Sequence, residues 1–521
     1  MTSTRDVWLP RTVRSRIRAN RWAVVVPEVS APTQVLDLAI DDQRVLSFRT
    51  KDLPSVLGVG AVLVLPRSLR ERLHGSPEVS VRYHDTGALV AAPRVIRAGP
   101  GETNLQDAGG RPLAVDKWGR LVATYEGDAA QARSRLLAHT REVTDLLTAG
   151  GGLPSFVVSG TLLGAVRDGT VLPHDDDADV GYLSSHENPV DVGCEQMRLE
   201  RLLADHGYDV VRHSFGHLQL HFDYDGHFDH YVDVFTCWYI GEWFHQPFHI
   251  RAVVPRGSLV PLSSVTIDGV DLPAPRDPEP LLVANYGEGW RTPDPAHRFA
   301  TPSGTQRRFR GWLGDMHGSR EAWEAWHASQ LVGRHEFGPP STLARLAADD
   351  HVGSTHVLDV GCGAGDDVVF LARSGMTALG VDFSRPAVRL DSELLSTHER
   401  ARFEVVNVND PRETFGLAAR LSTQWPVGVG SRLILSRDLL DQLRPHVLRD
   451  LMSFLALVTT AGDRVILTWR TAPKSGDIGF VSTGAATVVD LAEQAGLTVC
   501  RLETVRDDAD RRRRRLVELR R

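Results

Sequence analysis

Between Trp22 and about residue 127, short apolar runs alternate with turn residues: WAVVVP, AVLVLP, VSVRY, LVAAPRVI and RLVATY. Runs this short, rich in valine and bounded by Gly, Pro and Asp, predict strands, so residues 1–127 read as a small, mostly β domain. Gly58-Val59-Gly60 is a turn signal there rather than a phosphate loop. The period then changes. Leu136, Leu137, Val143, Leu146 and Leu147 share one helical face, which predicts a helix over about 128–149, ended by Gly150, Gly151 and Gly152. Strand and helix signals mix up to about residue 320. From Glu321 on, THVLDVG, TALGVD, RFEVVN, RLILS and RVILTW predict parallel strands with helices between them.

These shifts divide the 521 residues into three domains, 1–127, 128–320 and 321–521. The fold class is multidomain, α/β and α+β: an N-terminal mostly β domain, a central α+β domain and a C-terminal Rossmann-like domain. The net charge of −7 gives no reason to expect nucleic acid as a partner. Cys194, Cys237, Cys362 and Cys500 are far apart, which argues against a disulfide framework and for a reducing compartment. No apolar run approaches a membrane span and none near the N-terminus suits a signal peptide. The expectation is a cytoplasmic protein, with peripheral contact at the inner face of the membrane left open.

The stretch SGTLLGAVRDGTVLPHDDDADVGYL, Ser159 to Leu183, concentrates charge at the start of an expected strand. On that strand Asp177, Asp179 and Gly181 share a face. Two such carboxylates, about 7 Å apart along the strand, repel unless a cation lies between them. Mg²⁺ or Mn²⁺ suits carboxylate oxygens. Asp233, an acid inside the apolar run HYVDVF, is a third candidate, because an unpaired carboxylate in a strand interior is costly. A solvated acidic loop is the competing reading, and Asp233 speaks against it.

Gly160-Thr161, Asp177-x-Asp179 and Asp233 fill the places of the nucleotidyltransferase-fold pattern. More closely, SGTLLGAVRDGTVLPHDDDADVG resembles the signature of the LicD/fukutin family, with His174 for the usual tryptophan and Ala178 for the usual isoleucine. LLVANYGEGWRTPDP, from Leu281, resembles a second family segment, and the likeness covers about residues 130–300. The resemblance implies a nucleotidyltransferase-like fold and transfer of a phospho-alcohol from a CDP-activated donor, such as CDP-choline or CDP-ribitol, to a hydroxyl. The acceptor would be a glycan or polyol-phosphate polymer precursor, as in teichoic acid, and CMP would leave. It implies Asp177, Asp179 and Asp233 as metal ligands. Asp175 would orient or deprotonate the acceptor. Ser159, Gly160 and Thr161 would offer donors to phosphate near a helix start. Arg167 would either pair with phosphate or be held by Asp168 or Asp176.

In HLQLHFD, His217, Gln219 and His221 share the polar face of a strand, and the simpler reading turns that face to solvent rather than to a donor pocket. His245 and His249 have helical spacing for zinc, but Pro247 breaks the helix.

In THVLDVGCGAGDD, Thr355 to Asp367, an apolar strand runs into a glycine-rich turn and a helix. Gly361, Gly363 and Gly365 allow a ligand close to the backbone. Asp382, ending the second strand, is placed to accept ribose hydroxyls. The string D-V-G-C-G-A-G, with Asp359 at its head, is similar to motif I of class I S-adenosylmethionine methyltransferases, over about residues 321–521. That likeness implies S-adenosylmethionine as cofactor, with Asn407 or Asp410 near the adenine. Asp441 stands where part of that group has histidine. The C-terminal RLETVRDDADRRRRRLVELRR predicts a closing hairpin, its arginine run on a solvated edge.

The combined expectation is a bifunctional enzyme, a LicD-type phosphotransferase fused to a methyltransferase that modifies donor, acceptor or product. Two alternatives stay open: a nucleotidyltransferase adding NMP to a small molecule, and a binding or scaffold protein with inactive domains. The oligomeric state is not readable from the sequence.

Overall fold

The structure is a computed structural model. It describes residues 17–521 apart from 28, 30, 57–59, 108, 118, 128, 300, 315–322, 325, 328–333, 335, 350–354, 389–399, 426–431, 474–477 and 508–511. The expected turn residues Gly58 and Val59, the domain start Glu321, Asp508 to Asp510 and Arg511 lie outside that set. The chain forms two compact units, Met1–Met316 and His317–Arg521.

The first unit has two large apolar cores. One gathers Leu36, Leu38, Val79 and Val81 between two small antiparallel sheets. The alternating burial of strands such as Ala23–Val26 follows from side chains pointing to opposite faces. A two-stranded hairpin, Leu113–Val115 with Leu121–Ala123, links this part to the next.

The second core is built on a sheet in the order Ser155–Val157, Asp177–Leu183, His227–Ile240, His217–Tyr224, Asp209–Ser214. The pair Asp177–Leu183 and His227–Ile240 is parallel and the other neighbours are antiparallel. The helix Ala130–Ala149 buries Leu136, Leu137, Val143 and Leu147 against this core.

In the C-terminal unit the strand order is Ala401–Val405, Thr377–Asp382, His356–Val360, Arg432–Arg437, Arg464–Arg470, Arg513–Arg520, Thr498–Arg506. The first five are parallel and the last two form an antiparallel hairpin. Apolar clusters cover both faces, one around Leu451 and Phe454, the other around Val368 and Leu371. Buried on both faces, parallel strands read as continuous apolar runs. The arginine run differs from expectation. Its residues Arg513 to Arg515 lie on an inner strand, where Arg514 is buried between Asp438 and Asp507, while the edge strand is Thr498–Arg506. Pairing to two carboxylates makes that arginine tolerable inside the sheet. No helix among the described residues is long and apolar enough to cross a membrane.

Candidate active site

The aspartate strand starts at Asp177, so the cluster sits at the lip of the sheet, where the loop 174–176 enters. Asp175, Asp177 and Asp179 each bring one carboxylate oxygen within 4.8 Å of the others. In the parallel register Asp179 lies opposite Asp233. The sequence-expected ligand set therefore shifts. Asp175, expected to handle the acceptor, joins the close group, and Asp233 stands outside it. His217 Nε2 comes to 3.0 Å from Asp233 Oδ1, and Gln219 Nε2 donates to the same oxygen at 2.9 Å. The polar face of strand His217–Tyr224 is thus turned to the carboxylates at His217 and Gln219, both buried, rather than to solvent.

The turn before the cluster grips it. Gly160 N–H donates to Asp179 Oδ2 at 2.7 Å, and Asp179 N–H donates to Thr161 Oγ1 at 2.8 Å. Ser159 holds a left-handed φ of 44° and its hydroxyl accepts from Gln246 Nε2 at 3.0 Å. These groups were expected to face phosphate, but Gly160 and Thr161 orient Asp179. A Cβ on Gly160 would lie 2.4 Å from Asp175 Oδ2, which explains a glycine there. Arg167 is held by Asp168 through two bonds of 3.0 and 2.7 Å. Of its two expected partners, the neighbouring carboxylate is the one it meets.

The electrostatics are those of crowded acids. Burial and the neighbouring carboxylates, Asp175 first, push Asp177 well above the usual range and Asp179 up to about 8. Burial raises Asp176 to about 7, against the opposing pull of Arg120. Asp233 goes the other way: burial opposes its ionisation, but His217 holds it below the usual carboxylate range. Like-charged carboxylates in one buried site hold protons unless a cation joins them. Three oxygens at this spacing suit a hard divalent cation. His245, by contrast, is in strand Trp243–Gln246 and stacks on Trp238 with ring centroids 5.1 Å apart, and no zinc group forms there among the described residues.

In the C-terminal unit, strand His356–Val360 ends in the loop Gly361–Gly365, where all three glycines have positive φ. Only glycine takes such a sequence of turns without strain. Asp382 braces the loop: its carboxylate accepts from Gly363 N–H at 3.0 Å and Ser384 N–H at 2.8 Å. Asp359 is buried, and burial together with Asp367 raises it to about 8. Asn407 is buried beside the same sheet end and its Oδ1 accepts from Asn409 N–H at 3.0 Å. Asp410 is instead the N-cap of helix Pro411–Gln424, accepting from Arg412 N–H at 3.0 Å, so its carboxylate serves the helix rather than an adenine. Asp441 is buried and paired with Arg470 at 2.7 Å. His327, which no sequence signal marked, lies against the loop, with Cε1 3.4 Å from where a Cβ on Gly363 would stand.

Residues 152–277 match the family of LicD/FKTN/FKRP nucleotidyltransferase domains. No curated protein matches the chain. Solved structures similar to it include a magnesium protoporphyrin IX methyltransferase from Synechocystis PCC 6803 with bound SAH, at 17% identity, covering 39% of this chain and 84% of that one, TM-score 0.26. A TehB-like SAM-dependent methyltransferase from Corynebacterium glutamicum is similar at 17% identity, covering 39% and 97%, TM-score 0.27. A SAM-dependent methyltransferase from Anabaena variabilis is similar at 12% identity, covering 39% and 94%, TM-score 0.30. Residues 152–277 thus match the LicD family's nucleotidyltransferase domain, and the same chain carries a C-terminal unit built on a mostly parallel, Rossmann-like sheet.

Proposed function

We propose that the chain is a bifunctional transferase whose LicD domain moves a phospho-alcohol from a CDP-activated donor to a hydroxyl of a glycan or cell-surface polymer precursor. The observation that carries this reading is the approach of Asp175, Asp177 and Asp179 to one point, on a strand inside the LicD-matching segment. Asp175, Asp177 and Asp179 would hold Mg²⁺ or Mn²⁺, with Asp233 beside them. When bound, that cation neutralises charge on a diphosphate. The acceptor oxygen bonds to the phosphorus distal to cytidine, the bridging P–O bond breaks, and CMP leaves with the electron pair. The hydroxyl proton passes to a carboxylate oxygen of the cluster that the cation leaves free. Positioning supplies most of the acceleration in such a transfer. Gly160 and Thr161 contribute by fixing Asp179, and Gln219 and His217 by fixing Asp233.

The C-terminal unit, in this reading, binds S-adenosylmethionine at Gly361, Gly363 and Gly365, with Asp359, Asp382 and Asn407 around it, and methylates donor, acceptor or product. The whole would act in the cytoplasm, at or near the inner face of the membrane.

The experiment is incubation of the purified chain with Mn²⁺ and CDP-choline, CDP-glycerol or CDP-ribitol, plus a polyol-phosphate acceptor. Release of CMP, lost in Asp177→Asn, supports the reading. Release of pyrophosphate from CTP instead would replace it with nucleotide addition.

A further inference from the structure

The N-terminal β region has no chemistry of its own in the sequence, yet it reaches the aspartate site. Its link hairpin, Leu113–Val115 with Leu121–Ala123, carries Lys117 near its tip. Bonds among Asp116, Gly119 and Arg120 tie the two sides of the turn together. Asp116 N–H donates to the Arg120 carbonyl at 2.9 Å, Gly119 N–H to the Asp116 carbonyl at 3.1 Å, and Asp116 takes the Arg120 backbone and guanidinium at 2.8 and 2.6 Å.

Two contacts tie the hairpin to its surroundings. Just past the hairpin, Tyr125 N–H donates to the Pro173 carbonyl at 2.8 Å, two residues before Asp175. On the other side Arg298 Nη1 donates to the Lys117 carbonyl at 3.4 Å, and the Lys117 ammonium lies 5.3 Å from the centre of the Phe299 ring. Phe299 is itself stacked on His249 at 3.9 Å.

We propose that Lys117 is a substrate-binding residue of the LicD site, supplied by the N-terminal β region to hold a phosphate of the nucleoside-diphosphate donor. The inference rests on reading the aspartate cluster as a donor site. Three facts support it. Lys117 is exposed as a residue, so a ligand can reach it, while its ammonium end is set in from bulk water. Its ammonium makes no ion pair among the described residues, whereas Arg167 is committed to Asp168 and Arg120 to Asp116. It also stands in the field of the cluster, where Asp175, Asp177, Asp179 and Asp176 all act on its charge. A cation that faces the acids and is bonded to none is placed for an anion that enters between them. With a divalent cation on the carboxylates, a diphosphate still brings uncompensated charge, and a lysine acts on phosphate as a point charge.

The test is calorimetric titration of wild type, Lys117→Met and Lys117→Arg with Mn²⁺ alone and then with CDP in saturating Mn²⁺, with thermal unfolding as a check on the fold. The expected result is Mn²⁺ affinity unchanged or higher in Lys117→Met, CDP affinity weakened about 10–100-fold, and most of it restored in Lys117→Arg. Undiminished CDP binding by a folded Lys117→Met overturns the inference and leaves the donor-site reading standing. Equal loss of Mn²⁺ and CDP binding also overturns it, since the lysine would then be structural. Wild type that binds Mn²⁺ but no CDP overturns both.

Discussion

Gly160 and Asp179 hold each other: the Gly160 N–H lies 2.7 Å from Asp179 Oδ2, and the next residue, Thr161, accepts the Asp179 N–H. A turn at the end of one strand thereby sets a carboxylate on its neighbour, and the first aspartate of the cluster closes over the same glycine at a distance no Cβ would permit. Gly160→Ala is expected to push Asp175 aside and lower turnover about 10²-fold, the scale of a misplacement near 1 Å. Steady-state kinetics with circular dichroism checks this, and a folded Gly160→Ala with unchanged turnover removes the carboxylate geometry from the mechanism.

Asp177 suffers most from its neighbours, with burial and four other acids raising it. Asp177→Asn should therefore stabilise the metal-free protein, by roughly 2–4 °C in melting temperature, while abolishing stabilisation by Mn²⁺. Thermal scans with and without Mn²⁺ read both effects. A lower melting temperature in the metal-free variant would contradict the picture of stored repulsion.

The same repulsion has a pH signature. Asp176 and Asp179 titrate at about 7 and about 8 when folded, against an ordinary carboxylate value when unfolded. Between these limits the folded state binds more protons than the unfolded one, so stability of the metal-free first unit falls as pH rises from about 4 to 8. Mn²⁺ should flatten that slope, and its binding should release protons, measurable as a buffer-dependent heat. Stability that rises over this range without metal would count against the assignment.

In the C-terminal unit, the Asp382 carboxylate accepts from Gly363 N–H in the glycine loop and from Ser384 N–H beyond its own strand. Asp382→Ala leaves Gly363 N–H and Ser384 N–H without that acceptor, a loss of about 1–3 kcal/mol each where such groups are buried. S-adenosylmethionine affinity is expected to fall at least about tenfold, with Mn²⁺ binding at the aspartate cluster unaltered. Titration calorimetry with each ligand decides it; unaltered S-adenosylmethionine affinity would show that the loop needs no brace.

Asp441 and Arg470 form a buried pair, and burial lifts Asp441 to about 6. Arg470→Met strands that carboxylate and is expected to cost about 3–5 kcal/mol, whereas the double change with Asp441→Leu recovers most of it. Denaturant unfolding distinguishes this structural role from a catalytic one, which would leave stability alone.

Much of this was legible from residue order. The strand from Asp177 and the apolar run around Asp233 have the period and length of strands, and both are strands. The DVGCGAG string forms its predicted turn because glycine alone accepts those angles. What could not be read was who meets whom across the fold. Asp233 is in an apolar run whether it ligates or pairs with His217, and only register decides between them. Lys117 and His327 carry no local signal, since each reaches its site from another element. The arginine run looked like an edge because charge at an edge is common, and only the pairing order places it inside.

That pairing order also sets a sequence of events. Strand Thr498–Arg506 bonds to nothing in the sheet except Arg513–Arg520, the strand made after it. During synthesis it must wait, unpaired, while the parallel strands have already emerged. The last-made strand then inserts between it and Arg464–Arg470, and Arg514 locks onto Asp438 and Asp507. The sheet of the C-terminal unit is thus complete only when Arg513–Arg520 has been made. Loss of that one strand would leave two open sheet edges at once, the kind of surface on which chains aggregate.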